Sequence, residues 1–318
     1  MLISPPFGYS DPLIGRIIAR SQAKEPGRFS PEFKWRRTVL ASVHRSMTPL
    51  RILATGSFAH GTAVKGLSDR DYFVVLQGSP PASPMSVLRT LYSTLRNELS
   101  SATHLALDPP VVSIRDPYDG LVIDLAPAFR FADSDYLIPG PDGRTWIRSN
   151  PVAHITYLMR ADVASEGDSR DAVIMMKQWK CVNIPAMSSL YLEMATAKYC
   201  LESPQRHWLQ YLIGILDVLL KSRLAAIDDP SVTVRRPLTA YGIEPWDDRE
   251  TVRAVTRSRD LALRMDAAEK SHALNEVENC GRMLFGVRGD FQPLDRLSIG
   301  LRRDPNRMQF RGARPPEL

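Results

Sequence analysis

A pair of aspartates downstream of a glycine-serine turn is the part of this sequence whose residue types and spacing can do chemistry. Asp69 comes twelve residues after Ser57, Asp71 follows two residues later, and an apolar run at residues 72–76 comes next. Residues i and i+2 of a β-strand point to the same face, so we expect the two carboxylates to project side by side. Mg²⁺ is bound in nucleotide-dependent enzymes through one or two carboxylates and the substrate phosphates. The spacing therefore indicates nucleotidyl transfer from an NTP.

The turn at Gly56-Ser57 is expected to form the phosphate-binding part of such a site. It follows a predicted strand at residues 52–55, and a turn that leaves a strand to start a helix has backbone N–H groups without a partner in the chain. Those donors suit a phosphate. Each signal is weak alone, because Asp-x-Asp pairs also occur in solvated loops. Their order and spacing favour a catalytic site.

A third carboxylate is needed if two metal ions serve the reaction, and Asp124 is the candidate. It is the single acid in the apolar run at residues 121–125, which follows a turn signal at residues 116–120. With residues 111–115 ahead of that turn, the pattern predicts a hairpin whose second strand lies beside the strand of Asp69 and Asp71. An unpaired buried charge costs several kcal/mol, so Asp124 needs a partner, and a metal ion would provide one.

The hydrophobic periodicity divides the chain into a mixed α/β part and a helical part. A long helix is predicted within residues 10–48, and an amphipathic helix at residues 87–99. From Pro151 onward the pattern is helical. We therefore predict an N-terminal domain at residues 1–150, a helical domain at 151–285 and an arginine-rich tail at 286–318, with the active site in the cleft between the two domains.

The composition fits a cytoplasmic enzyme that does not contact a membrane. The sequence has 318 residues and three scattered cysteines, with neither a signal peptide nor an apolar run long enough to cross a bilayer. The net charge of +6 is concentrated at residues 16–51 and 281–318, which leaves the body of the chain mildly acidic. The basic N-terminal helix could bind RNA, DNA or an acidic protein, or could be a solvated surface. We do not favour activation by nucleic acid.

Further segments extend the catalytic pattern into a resemblance to a known family. After Asp124 come Pro-Ala-Phe, Tyr-Leu-Ile-Pro and Gly-Arg-Thr-Trp-Ile at residues 127–147, then Ser-Asn-Pro at 149–151, and later the segments at 177–180 and 188–193. With the three aspartates, these resemble the bacterial cGAS/DncV-like nucleotidyltransferases (CD-NTases), which make cyclic oligonucleotide signals in the CBASS anti-phage defence. The resemblance implies an α/β (α+β) fold: a nucleotidyltransferase core like that of DNA polymerase β, with a small mixed sheet, packed against a helical C-terminal half.

The resemblance also implies roles for individual residues. Gly56 and Ser57 would bind the donor triphosphate, with further phosphate contacts from the helical half. The three aspartates would hold two Mg²⁺ ions, for which Mn²⁺ is a substitute. The residues implied are Gly56, Ser57, Asp69, Asp71, Asp124, Lys180 and Ser189.

Four of the implied or neighbouring residues have a structural alternative. Lys177 and Lys180 can equally form a solvated helix face. Asn150 is a candidate base contact, or the N-cap of a helix that starts at Pro151. Tyr191 is a candidate for stacking on a nucleobase, or a core residue.

The sequence thus predicts a cyclic di- or trinucleotide synthase whose partners are NTP substrates and, through the product, a downstream effector. Two enzymes with the same core stay open: an oligoadenylate-synthetase-like enzyme that needs double-stranded RNA, and an enzyme that extends RNA ends. The acidic body disfavours the first. A catalytically inactive nucleotide sensor is a further alternative, but nothing about binding alone requires three carboxylates.

Overall fold

The computed structural model describes residues 9–101, 103–116, 121–184, 187–205, 207–230, 238 and 248–286. The arginine-rich tail beyond Gly286 lies outside these residues. The described chain divides into two compact units. A sheet unit comprises residues 22–157 and 228–230, and a helical unit comprises residues 9–21, 158–227, 238 and 248–286.

The sheet unit is built on seven strands. They are β1 (Arg51–Thr55), β2 (Arg70–Leu76), β3 (His104–Asp108), β4 (Val111–Arg115), β5 (Val122–Arg130), β6 (Tyr136–Pro139) and β7 (Trp146–Ser149). The order is β1-β2-β5-β4-β3, with β6 paired to β5 and to β7. β2 and β5 are parallel and the remaining pairs antiparallel. The predicted mixed sheet and the predicted hairpin of β4 and β5 are confirmed.

Ten helices are present in the described part of the chain. They are α1 (Ser10–Ser21), α2 (Pro31–Met47), α3 (Gly56–His60), α4 (Pro84–Glu98), α5 (Pro151–Ala164), α6 (Ser169–Asn183), α7 (Ser189–Glu202), α8 (Trp208–Lys221), α9 (Asp248–Lys270) and α10 (Leu274–Phe285). None of these helices is long and apolar enough to cross a membrane.

Helices α2 and α4 cover one face of the sheet. The apolar residues of α4 recur at helical spacing, and Leu88, Leu91 and Leu95 are fully buried. They pack with Val39 and Val43 of α2 and with the side chains of β2, β4 and β5 that point to this face. The opposite face of the sheet carries Asp71 and Asp124, because side chains alternate along each strand.

The single long helix predicted within residues 10–48 is in fact two helices, which belong to different units. Pro26 and Gly27 interrupt the helical pattern between them. α2 then starts anew at Ser30, whose hydroxyl accepts a hydrogen bond from the Phe33 N–H, with Pro31 in the first helical position. The helical unit therefore includes the N-terminal α1, the second half of α5 and helices α6 to α10, whereas the first half of α5 belongs to the sheet unit.

Candidate active site

The three predicted aspartates come together at the start of β2. Asp71 lies directly opposite Asp124 in the register of the parallel strands β2 and β5. Residues opposite each other on neighbouring strands present their side chains on the same face. Asp69 immediately precedes β2, and its negative charge contributes to raising the pKa of Asp124.

Asp124 has a hydrogen-bond partner that the sequence analysis missed. The Ser113 hydroxyl donates to Asp124 Oδ1 over 2.6 Å, from the opposite position on β4. Burial raises the pKa of Asp124; the hydrogen bond from Ser113 opposes this rise, and the charges of Asp69 and Asp108 add to it. The alternation Val-Val-Ser-Ile-Arg in β4 was the available signal, since it places Ser113 on one face and apolar residues on the other.

Asp69 is the more exposed carboxylate of the site. Partial burial raises the pKa of Asp69, and the positive charge of Arg115 opposes that rise. Arg115 lies two residues after Ser113, on the same face of β4. The site thus combines several carboxylates with the cation Arg115, and burial raises the pKa of Asp69 and of Asp124.

The predicted phosphate turn leaves β1 beside this carboxylate pair. Gly56 has a φ of +64°, a left-handed conformation, and a β-carbon added to it would lie 1.9 Å from Asp71 Oδ2. Ser57 follows in α3, and its carbonyl accepts a hydrogen bond from the Thr62 N–H at 2.9 Å. The structure therefore places the backbone of Gly56 directly against the Asp71 carboxylate, where only glycine fits.

Among the described residues, no group of three His, Cys, Asp or Glu side chains is already gathered around a common point as metal ligands. The donor chemistry nevertheless fits a divalent cation. Asp71 and Asp124 are hard oxygen ligands in opposite register positions, and the pKa of Asp124 is raised by burial and by the neighbouring acid Asp69. A bound cation would reduce the electrostatic repulsion between these acids.

In the helical unit, the structure separates the roles of the two lysines of α6. Lys177 is buried and donates to Glu193 over 2.6 Å, so it forms an internal ion pair. Lys180 is half-buried and donates over 3.0 Å to the hydroxyl of the exposed Ser189, at the start of α7. Burial lowers the pKa of Lys180, and the charge of Lys177 contributes further. Lys180 and Ser189 are therefore adjacent, whereas Lys177 has a structural role.

Two predicted nucleotide contacts are better explained by their structural alternatives. Asn150 Oδ1 accepts from the Ala153 N–H at 2.9 Å as the N-cap of α5, and its amide donates to Asp135 over 2.6 Å. Tyr191 is 1% exposed, and its hydroxyl donates to the Ala225 carbonyl over 3.1 Å. The proposed base contact of Asn150 and the base stacking of Tyr191 are corrected, because the polar groups of the first and the ring of the second are used inside the fold.

His60 is a buried packing residue, as expected from its position in α3. Its ring contacts that of His154 edge to face, with centroids 6.3 Å apart. His154 Nε2 lies 3.1 Å from both carboxylate oxygens of Asp229. These contacts attach α3, and with it the phosphate turn, to α5.

Comparison with known proteins gives a family match for part of this chain. Residues 42–161 match the family model of the Second Messenger Oligonucleotide or Dinucleotide Synthetase domain. The matched stretch contains the glycine-serine turn and all three aspartates. No curated protein sequence matches the chain.

Solved structures similar to this chain cover most of its length. CdnC of E. coli MS115-1, in a complex with HORMA-deltaN, has a TM-score of 0.66 and 17% identity over 89% of this chain and 99% of that chain. CdnG of Bradyrhizobium diazoefficiens, in complex with GTP, has a TM-score of 0.69 and 14% identity over 87% and 95%. The Vibrio cholerae cyclic AMP-GMP synthase DncV, in complex with the linear intermediate pppA(3′,5′)pG, has a TM-score of 0.61 and 18% identity over 76% and 69%. At these identities the likeness shows the fold.

Proposed function

We propose that this chain, a cGAS/DncV-like nucleotidyltransferase by its domain at residues 42–161 and by its fold, joins NTPs into a cyclic di- or trinucleotide signal in bacterial anti-phage defence. The observation that carries the proposal is the register of β2 and β5, which sets Asp71 opposite Asp124 with the backbone of Gly56 against Asp71. Carboxylates and a phosphate turn are thereby joined in one site. The solved complexes of similar chains with GTP and with a linear dinucleotide support an NTP substrate.

Asp69, Asp71 and Asp124 would hold two Mg²⁺ ions, or Mn²⁺ in their place. Bound metal lowers the pKa of an attacking ribose hydroxyl and neutralises the charge on the leaving pyrophosphate. The carboxylates orient the reacting groups: Asp71 and Asp124 face the same space from neighbouring strands. Each bond forms when the hydroxyl oxygen attacks the α-phosphorus of an NTP and pyrophosphate leaves. Ring closure repeats the reaction on the linear product.

Asp124 is the carboxylate we assign to accepting the hydroxyl proton. Ser113 occupies Oδ1 with a hydrogen bond of 2.6 Å, which leaves Oδ2 for the acceptor side of the reaction. Burial raises the pKa of Asp124, and a carboxylate with a raised pKa is a stronger base. Ser113 also fixes the plane of the carboxylate, so the basic oxygen has a defined direction.

Two pairs of residues, one in each unit, are the candidates for binding NTP phosphates. The backbone at Gly56 and Ser57 supplies N–H donors, because α3 begins there and its first amides have no partner within the helix. Lys180 and Ser189 supply an ammonium and a hydroxyl that already lie 3.0 Å apart. Lys177 is excluded from this role because Glu193 neutralises it within the core.

The test is direct synthesis by the purified protein. The protein is incubated with all four NTPs and Mg²⁺ or Mn²⁺, the products are treated with phosphatase, and the resistant products are identified by mass spectrometry. We expect phosphatase-resistant cyclic masses from the wild type, and none from a matched variant that carries Asp69→Asn and Asp71→Asn.

Other outcomes distinguish the alternatives. Linear phosphatase-sensitive oligomers that appear only with double-stranded RNA would support an oligoadenylate-synthetase-like enzyme. Extension of an added RNA end would support a tailing enzyme. NTP binding without any product, under every metal and activator condition, would support a nucleotide sensor and would refute the synthase.

A further inference from the structure

Arg70 is a buried cation between the two aspartates of the Asp-x-Asp pair. It is 2% exposed and is among the largest fully buried side chains of the described chain. It is the first residue of β2 and lies opposite Ile123 of β5. Its side chain points to the face of the sheet that α2 covers, away from Asp71, because neighbouring residues of a strand alternate.

Two glutamates from outside the sheet hold the guanidinium of Arg70. Its Nε and Nη2 donate to the same carboxylate oxygen of Glu32, at 3.1 and 2.9 Å, and its Nη1 donates to Glu25 at 2.9 Å. Arg36 donates to the second oxygen of Glu25, also at 2.9 Å. Glu32 lies in the first turn of α2, and Glu25 lies in the segment before it. The charge of Arg70 is therefore satisfied entirely by this N-terminal part of the sheet unit.

The same guanidinium stacks on the helix that follows the phosphate turn. The Cζ atom of Arg70 lies 3.8 Å from the centroid of the Phe58 ring, which is close for a cation–π contact. Phe58 follows Ser57 directly in α3. The Arg70 side chain therefore contacts α3 through Phe58, directly after the phosphate turn, and α2 through Glu32. Its backbone belongs to β2, the strand of Asp71.

We propose that Arg70 is a positioning residue that sets the distance between the Gly56 turn and the Asp69 and Asp71 carboxylates. The proposal rests on the proposed function of these residues. The tolerance for error in this distance is small, because Gly56 has no room for even a β-carbon against Asp71. A flat guanidinium clamped on three sides suits this task, because its donors have fixed directions and its plane can stack on a ring.

Stability alone is a weak explanation for this cluster. Replacing a buried ion pair by apolar residues is often neutral or stabilising, so a buried arginine is not required to hold a strand against a helix. The pair of Arg45 and Glu98 makes a suitable comparison: it links α2 to α4 at 2.7 Å, is largely exposed and lies away from the site residues. It also joins α2 to a second element, without touching β2 or α3.

The experiment compares Arg70→Met and Arg70→Lys with the control Arg45→Met. Mn²⁺ binding is measured by electron paramagnetic resonance, with a non-hydrolysable NTP analogue and without turnover, and kcat and KM are measured separately with NTP and Mn²⁺. We expect Arg70→Met to weaken Mn²⁺ binding and to lower kcat by about 10- to 100-fold each, the usual effect of losing a residue that orients metal ligands. The KM for NTP should change less than kcat.

The lysine variant separates positioning from charge. Arg70→Lys keeps the positive charge and should restore most of the melting temperature, but it cannot donate twice to Glu32 while stacking on Phe58. We therefore expect Arg70→Lys to stay well below the wild type in kcat and in Mn²⁺ affinity. Arg45→Met should match the wild type in both.

A folded Arg70→Met variant with wild-type Mn²⁺ affinity and kcat would overturn the proposal. If that variant does not fold, Glu32→Ala decides the question against its control Glu98→Ala, because both glutamates are partly exposed and can be removed without leaving a hole in the core. Equal kcat and Mn²⁺ affinity in those two variants would also overturn it. A wild-type protein that neither binds Mn²⁺ nor forms product would instead refute the proposed function, so the two failures are distinguishable.

Discussion

Gly56 and Asp71 are packed so closely that a β-carbon on Gly56 would lie 1.9 Å from Asp71 Oδ2. Real β-carbons do not approach other atoms to this distance, and Cγ and Cβ of Asp71 would also lie only 2.7 and 3.0 Å away, so the whole carboxylate would have to move. The phosphate turn and the carboxylate pair therefore form a single steric unit. Either can be changed only by displacing the other.

Gly56→Ala should abolish product formation, because the new methyl group would push the Asp71 carboxylate out of its position. The φ of +64° adds backbone strain of about 1 kcal/mol. Gly78→Ala is the matched control: its φ is +82°, and nothing lies within 4 Å of the added β-carbon. Both variants should lose stability in urea denaturation, Gly56→Ala by at least as much as Gly78→Ala, but only Gly56→Ala should lose turnover. Wild-type turnover in Gly56→Ala would show that catalysis does not require the Asp71 carboxylate in this position.

Asp124→Asn should be inactive and, without metal, at least as stable as the wild type at neutral pH. Burial raises the pKa of Asp124 above its ordinary 3.8, so the folded protein binds more protons than the unfolded chain between that value and the raised one. The contribution of this carboxyl to stability therefore falls as the pH rises through that window. Asparagine removes the penalty and keeps an oxygen for the Ser113 hydroxyl.

Melting temperatures in EDTA between pH 4 and pH 8 check this prediction. The difference between Asp124→Asn and the wild type should grow in favour of the variant as the pH rises. Added Mg²⁺ with a non-hydrolysable NTP should raise the melting temperature of the wild type more than that of the variant, since a ligand stabilises only the state that binds it. A variant that melts well below the wild type at neutral pH in EDTA would contradict the prediction that the charged Asp124 carboxylate lowers stability when no metal is bound.

Substitution by alanine should affect NTP binding at Lys180 and stability at Lys177. Lys180→Ala should raise the KM for NTP by about 10- to 150-fold, since a charge-assisted phosphate contact is worth about 1.5–3 kcal/mol. Lys177→Ala should instead lower the free energy of unfolding by about 3–5 kcal/mol, because it leaves the buried Glu193 carboxylate without its cation. Steady-state kinetics and urea denaturation on both variants make the comparison. Unchanged kinetics in Lys180→Ala would show that Lys180 does not bind the NTP phosphates.

Synthesis should not require added duplex nucleic acid. The candidate docking cations Arg16, Arg20, Lys34, Arg36 and Arg37 are divided between α1 and α2, and Arg36 is engaged in an ion pair with Glu25. Product yield is measured on nuclease-treated enzyme, with and without duplex, at low and high salt. A silent enzyme that duplex restores, with an effect that weakens steeply with salt through counterion release, would show that these cations bind nucleic acid.

The strands and the carboxylate site were predictable because their signals are local. Alternation of apolar residues and turn signals predicted β2, β4 and β5, and the position of the acids in those patterns predicted that Asp71 and Asp124 lie on adjacent strands; Asp69 lies just before β2. The break between α1 and α2 was also encoded locally, by Pro26 and by Ser30 with the proline after it, but helical periodicity outweighed those signals in the prediction.

The roles that were predicted wrongly depend on distant parts of the chain. The hydroxyl of the buried Tyr191 donates to the carbonyl of Ala225, which lies far along the sequence in a segment without a motif. Lys177 and Lys180 have the same residue type, and only the position of Glu193 on the next helix distinguishes them. Arg70 gave no sequence signal either, because its partners Glu25 and Glu32 meet it only in the folded sheet unit.

The N-terminal helix α1 has a consequence for the order in which the protein folds during synthesis. Leu13, Ile14, Ile17 and Ile18 of α1 are buried in the helical unit. Asp11 caps α8 by accepting the Trp208 N–H at 2.7 Å. These partners are synthesised on the order of 200 residues after α1, which takes roughly 10–40 s at ordinary elongation rates. The nascent chain must therefore keep the apolar face of α1 unpaired, accessible to chaperones, until α8 has left the ribosome.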